Sequence, residues 1–195
     1  MAATAVLGAM LLAGWGNARE RARRIQCAHN LTQLGAAFAN LASDTEARSG
    51  RQGNNVLDRL AADGMVFKYF LAYSNALSGP KILFCPAESD LMRKPASAFT
   101  DLTNDNQVSY FVGLGGDERT PQMLLHGDHN LSINGVPARH GVRVLSTNDL
   151  VVWAPGGHHG QGNVLLCDGS VQQYSASRLL SLVTAGLATN SIAFP

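Results

Sequence analysis

Between Gly156 and Tyr174 the chain reads GGHHGQGNVLLCDGSVQQY. Two strand-like runs flank Asp168-Gly169, and an Asp-Gly pair between such runs is a strong local signal for a β-hairpin. A hairpin commits this part of the chain to antiparallel sheet. The expected turn is type I′, with positive φ at both Asp168 and Gly169. Asp168 holds the turn through its own backbone, because an Asp side chain bonds amides just ahead of it in the chain. His158 lies on the far side of the first run. Five strand residues at about 3.3 Å each put roughly 16 Å between them, so His158 and Asp168 do not form a catalytic pair, and His158 is expected to pack or hydrogen-bond near the hairpin base.

At the other end, Met1–Gly16 carries no charged side chain and consists mostly of Ala, Leu, Val and Gly. A bilayer span takes about 20 apolar residues, so this run alone is short, and it has no basic n-region or clean A-x-A site of a signal peptide. Beyond it the character changes without a break. Arg19, Arg21, Arg23 and Arg24 mark a junction, and Cys27, Leu31, Leu34, Phe38 and Leu41 then recur at steps of four and three, one face of a helix. No Pro interrupts residues 17–43. One long helix is predicted, apolar over residues 1–16, amphipathic over 17–43, and ending near Ser43–Asp44. Arginines flanking a span favour the cytoplasmic side; that rule taken alone puts the globular part inside the cell.

Residues 44–195 form the remaining unit. Ser49–Asn55 reads as a polar linker, Val66–Leu77 as a helix stopped by Ser78-Gly79-Pro80, and Lys81–Cys85 as a short strand halted by Pro86. Glu88–Gln107 is an irregular excursion. Val108–Leu114, Met123–His126, Leu131–Ile133, Val142–Leu145 and Leu150–Trp153 are short strand candidates, with Asn134-Gly135 a further turn. Ser177–Leu187 is predicted helical and Asn190–Pro195 a tail. The fold class is α+β: a long N-terminal α-helix packed on a small antiparallel β-sheet, with additional short helices.

Charged residues make up 15% of the chain and the formal net charge is +1. The near-neutral balance gives no footprint for nucleic acid, and the low charge with 20 glycines leans towards an exported or assembling protein. Cys27, Cys85 and Cys167 show no C-x-x-C or zinc-ligand spacing. In a reducing compartment they read as three small buried hydrophobes; in an exported chain, as one disulfide and one buried thiol.

His158, nine intervening residues and Asp168-Gly169 resemble the H-x9-DG signature of a prepilin-type family of pilin-like secretion proteins. Cys27, Asn30, Leu31, Gln33, Leu34 and Gly35 are similar to that family's helix pattern. Phe67–Pro86, the segment SYFVGL, Gly127–Asn130 and the final Phe-Pro resemble it in the same order, so the likeness runs from about residue 18 to the last residue. It departs at the peptidase recognition sequence: the family carries Glu at the fifth mature position, and this chain has Ala5. A sequence that begins inside the span is the expectation that accounts for the departure. The resemblance implies a Cys27–Cys85 disulfide, with Cys167 a buried thiol in the hairpin, and a motif role for His158, Asp168 and Gly169. It implies a pseudopilin-like structural subunit of a type II secretion or type IV pilus-like assembly, with no enzymatic activity, cofactor or metal. Leu7, Leu11 and Leu12 then belong to the assembly helix. Partners are other pilin-like subunits, with the membrane contacted through the helix. The location is the bacterial inner membrane with a periplasmic head, or an extracellular filament.

Two alternatives remain. One is an exported binding module that never polymerises. The other is a metal-dependent hydrolase at the His-rich loops, where His126 and Asp128 share one side of an extended strand and His129 follows. No G-x-S-x-G, Walker A, H-E-x-x-H or dinucleotide fingerprint is present.

Overall fold

The computed structural model describes the backbone of residues 2–43, 61–72, 74–115, 120–185 and 191–195, with side chains in all of these except 2–15, 17 and 41–43. Helix α1 runs unbroken over Ala2–Ser43, about 63 Å at 1.5 Å per residue. The spacing-four-and-three stripe is the docked face: Cys27, Leu31 and Leu34 are fully buried, Ala37 nearly so, and Phe38 packs beside them. Burying each leucine contributes about 2 kcal/mol. Leu41 and the proposed assembly residues Leu7, Leu11 and Leu12 have side chains outside the described residues, as does the Ser49–Asn55 linker. Among the described residues, no helix is long and apolar enough to cross a membrane.

Helix α2 spans Val66–Leu71 and is followed by a 3₁₀ turn at Ser74–Ala76, shorter than the helix predicted to Leu77. Ser74 and Asn75 are weaker helix formers than the residues before them. The predicted Lys81–Cys85 strand is instead a 3₁₀ turn, Pro80–Leu83, because Pro80 at its first position presets a helical φ.

The strands are β1 (Tyr110–Leu114), β2 (Leu124–Asp128), β3 (Leu131–Ile133), β4 (Val136–Pro137), β5 (Gly141–Val144), β6 (Val151–Trp153), β7 (Gln161–Leu166), β8 (Val171–Ser175) and β9 (Ser191–Phe194). They form a six-stranded antiparallel sheet ordered β5-β9-β1-β2-β7-β8 and a smaller antiparallel sheet ordered β4-β3-β6. The expected Asn190–Pro195 tail is thus corrected: β9 lies inside the sheet, hydrogen-bonded to both β1 and β5. Asn134 (φ 53°) and Gly135 (φ 82°) make the β3–β4 turn, with positive φ at both centres.

The large sheet is covered on both faces. Tyr110, Val112, Leu125, Leu165 and Ala193 meet α1 and α2. Phe111, Leu124, Val164, Leu166, Ile192 and Phe194 face the small sheet and helix α3 (Ala176–Thr184), which docks through Leu179, Leu182 and Val183. Alternation along β1 produces this split, since neighbouring strand residues point to opposite faces. Ser175 caps α3, its Oγ accepting from the Arg178 amide at 3.3 Å.

Arg93 ties β9 to the irregular segment before β1. Its guanidinium donates to the carbonyls of Asp105 (3.1 Å), Val108 and Pro195 (2.7 Å). Charge-assisted hydrogen bonds are the strong ones, and buried carbonyls left without a donor are penalised. Arg93→Met is therefore expected to lower stability by about 3 kcal/mol; a urea midpoint unchanged from the parent is the contrary result.

Candidate functional site

Two irregularities in the strands build the site. The pairing of β2 with β7 slips between Leu124 and His126, so Leu125 is an extra residue, a β-bulge. The slip turns both Leu125 and His126 towards α1 and leaves Asp128, two residues on, on the same side. The loop before β7 has positive φ at Gly156 (106°), Gly157 (59°), His159 (54°) and Gly160 (74°). Glycines make this left-handed run inexpensive, and it coils so that His158 is 1% exposed while His159 stays outside.

His158 sits in a polar seam between α1 and the sheet. Its Nε2 lies 3.3 Å from Cys85 Sγ and 3.5 Å from Asp128 Oδ2, and its Nδ1 lies 3.4 Å from Glu20 Oε1 on α1. Cys85 is disulfide-bonded to Cys27 of α1, with Cα atoms 5.3 Å apart. Arg24, one turn beyond Glu20, donates to the His158 carbonyl (3.2 Å) and the Gln161 amide oxygen (3.0 Å). Asn30 donates to the Phe84 carbonyl (3.2 Å) and reaches the Tyr110 hydroxyl (3.4 Å). One covalent bond and several hydrogen bonds thus fasten α1 to the sheet and to the segment after Pro80–Leu83, on the same side as its apolar stripe.

Asp128 is 3% exposed. Its Oδ2 accepts from the Asn163 backbone amide (2.7 Å) and side-chain amide (3.1 Å), while its Oδ1 has no partner among the described residues. Burial pushes its pKa up, against the opposing pull of His158 and the Asn163 donors. The donor atoms of Cys27, Cys85, Asp128 and His158 all lie within 4.8 Å of one another. This is the donor set that could hold a metal, and it is a different set from the His-rich loops read in the sequence.

His126 and His129 are not brought together. His126 is fully buried against Phe38, Tyr69 and Phe70, with ring centroids 6.0, 5.5 and 5.3 Å away. Among the described residues its ring nitrogens have no hydrogen-bond partner of good geometry, and the adjoining Leu125 backbone gives weak electrostatic support. Burial depresses its pKa to about 3, so the ring is neutral. His129 turns the other way, its Nε2 meeting Glu88 Oε2 at 2.7 Å, and Ser109 donates to the same oxygen at 3.0 Å. Burial opposes the charge on Glu88, but His129 and the Asp90 and Ser109 donors outweigh it and hold the pKa at about 2. The pair edges a groove of about 690 Å³ that also holds Arg93, Asp105, Arg139 and His140.

Asp168 and Gly169 lie at the opposite end of β7 from His158. The predicted type I′ turn does not form: only Gly169 has positive φ (84°). The Gly169 amide donates to the Leu166 carbonyl at 3.0 Å and the Leu166 amide to the Ser170 carbonyl at 2.9 Å, a three-residue loop with glycine at its left-handed position. Cys167, which reads as a strand residue, is in the loop; it stays a thiol and is half-buried, not buried as expected. Asp168 holds the turn as predicted, accepting from the Ser170 amide at 2.8 Å. Asp168 and Gly169 line a cavity with Gly35 and Phe38 of α1. The nine residues of the motif therefore span β7, from the Glu20–Arg24 level of α1 to the Gly35–Phe38 level.

Sequence reasoning marked His158 and, through the resemblance, the two cysteines. It missed Asn163 and Glu20 altogether, and no local pattern marks either. Comparisons with protein-family models, with curated proteins and with solved structures find no match to this chain.

Proposed function

We propose that this chain is a pilin-like structural subunit, of the type II secretion pseudopilin or type IV pilus-like kind, whose head is carried by a helix that packs with those of its neighbours. The observation that carries the reading is α1: one uninterrupted helix over Ala2–Ser43 whose apolar docked stripe begins, among the described side chains, at Cys27, with Glu20 and Arg24 the polar contacts ahead of it. Ahead of that point Ile25 remains 64% exposed, and the uncharged residues 1–16 precede it in sequence. A rod docked through its later part and headed by an uncharged sequence has apolar residues to bury against neighbours, and apolar burial drives association. The partners are further pilin-like subunits and, before assembly, the inner membrane, with the head in the periplasm or on an extracellular filament. Exposure to an oxidising compartment agrees with the Cys27–Cys85 disulfide.

Replacing Leu7 or Leu12 with Lys is expected to abolish polymer from the full-length chain while the head keeps its circular dichroism and its disulfide. Electron microscopy and sedimentation read the outcome. Polymer at parental yield from both variants overturns the proposal. A second reading, an exported binding module that does not polymerise, draws on the groove edged by Glu88, Arg93 and His140. It predicts a monomeric full-length chain that takes a ligand there, and Arg139→Glu should then alter ligand binding alone.

A further inference from the structure

We infer that the Cys27–Cys85 disulfide occupies one of two alternative states of a single site, the other being a Zn²⁺ centre formed by Cys27, Cys85, Asp128 and His158. The inference stands whether or not the chain polymerises.

The donor set suits zinc, which takes thiolate, imidazole and carboxylate in tetrahedral fours. Bonds of about 2.3 Å to sulfur and 2.0 Å to nitrogen or oxygen place tetrahedral neighbours about 3.3 to 3.8 Å apart. The Cys85 Sγ–His158 Nε2 distance of 3.3 Å and the His158 Nε2–Asp128 Oδ2 distance of 3.5 Å already meet that requirement. The two sulfurs have to separate once their bond is broken, and the remaining donor pairs, all within 4.8 Å, have to settle into the same range.

The surroundings supply what a zinc centre needs beyond its ligands. A ligating imidazole commonly gives its other N–H to a carboxylate, and His158 Nδ1 faces Glu20 at 3.4 Å. Asp128 is oriented by two donors from Asn163 to Oδ2, the oxygen that also faces His158. A small cavity of about 20 Å³ lies against Cys85, Asp128 and His158, enough for one water-sized occupant. Glu88, Ser89, His129 and Asn130 line both this cavity and the open groove, which gives an ion a way in.

The exchange balances. A dithiol reductant gives two electrons to the Cys27–Cys85 bond and is itself oxidised to a disulfide; Zn²⁺ then displaces the two thiol protons to solvent. In the reverse direction a disulfide oxidant takes two electrons from the zinc-bound thiolates and is cleaved to two thiolates. The Cys27–Cys85 bond forms and Zn²⁺ leaves.

The test uses the full-length chain in mild detergent, with Cys167→Ser to remove the remaining thiol, reduced by a non-chelating phosphine. After exposure to Zn²⁺ and desalting, the reduced chain is expected to hold one zinc and the oxidised chain none. Addition of a disulfide oxidant should release that zinc. Co²⁺ in its place should give the intense visible bands of a tetrahedral dithiolate centre. Glu20→Gln should weaken zinc by about 10- to 100-fold with the cobalt bands retained, and Asp128→Asn and His158→Gln should lose stoichiometric binding. A reduced chain with parental circular dichroism that retains no zinc, or pale octahedral cobalt in the unmutated chain, overturns the inference. So does parental zinc affinity in both Asp128→Asn and His158→Gln. The cobalt spectrum of the unmutated chain decides the matter even where a variant fails to fold.

Discussion

Acidification from pH 6.5 to pH 4 is expected to cost about 3 kcal/mol of stability through His126. Burial among Phe38, Tyr69 and Phe70 depresses its pKa from 6.5 to about 3. In the unfolded chain the ring gains its proton near pH 6.5; in the folded chain it does not until the pH approaches the depressed value. His126 therefore contributes no penalty above pH 6.5, and stability falls by up to about 1.4 kcal/mol per pH unit as the pH drops through the window below it. The depressed pKa of Glu88, about 2, adds loss of the same sign below pH 4.5. The raised carboxyls of Asp105 and Asp128 act oppositely: their contribution is present at low pH and is lost as the pH rises through their folded values. They offset part of the loss, and comparison with a His126 variant isolates the histidine's share. In thermal terms the His126 share is about 6 to 12 °C for a chain of this size. His126→Leu, which keeps the site apolar, should flatten the profile between pH 6.5 and pH 4. Midpoints from urea titrations at several pH values measure it, and a variant whose slope matches the parent contradicts the assignment.

Opening the Cys27–Cys85 bond should have a comparable effect by another route. The bond joins α1 to the segment after the Pro80–Leu83 turn across a sequence separation of 58. On the chain-entropy account, closing such a loop stabilises by about 4 kcal/mol, through restriction of the unfolded chain. Cys27→Ala with Cys85→Ala adds a packing loss, since the two residues are 0% and 4% exposed. With a chelator present, reduction or the double substitution is expected to lower Tm by about 8 to 16 °C. The denatured, unreduced chain should present one reactive thiol, Cys167; three reactive thiols would remove the bond from the account.

The parts of the fold visible in the sequence are those with local causes. The stripe Cys27, Leu31, Leu34, Phe38 repeats at helical spacing, and α1 follows it to Ser43. The hairpin at Asp168-Gly169 is likewise local, but its turn type was not visible, because Cys167 looks like the last residue of an apolar strand and is the first of the loop. β9 had no readable pattern: in Ser-Ile-Ala-Phe, Ile192 and Phe194 face one core and Ala193 the other, so all three are buried and nothing alternates. The site was legible least. His158 was marked by its place in the motif, yet its meeting with Asp128 depends on a loop of left-handed residues and on a one-residue slip in β2. Neither leaves a periodic trace. His126 looked like a ligand because it is polar; its neighbours, separated from it by tens of residues in sequence, make it part of the packing.

The place of β9 sets a schedule for folding. Among the described residues, β5 has no other neighbour in the large sheet, so it joins when β9 arrives. β1 must likewise wait for a partner about eighty residues later in the sequence on one of its sides. Long-range pairings of this sort close slowly, and meanwhile β1 and β5 expose bare edges that other chains can capture. A chain synthesised up to Thr184 is thus at its most vulnerable to aggregation, and a chaperone that shields β1 at that stage would raise the yield of native molecules.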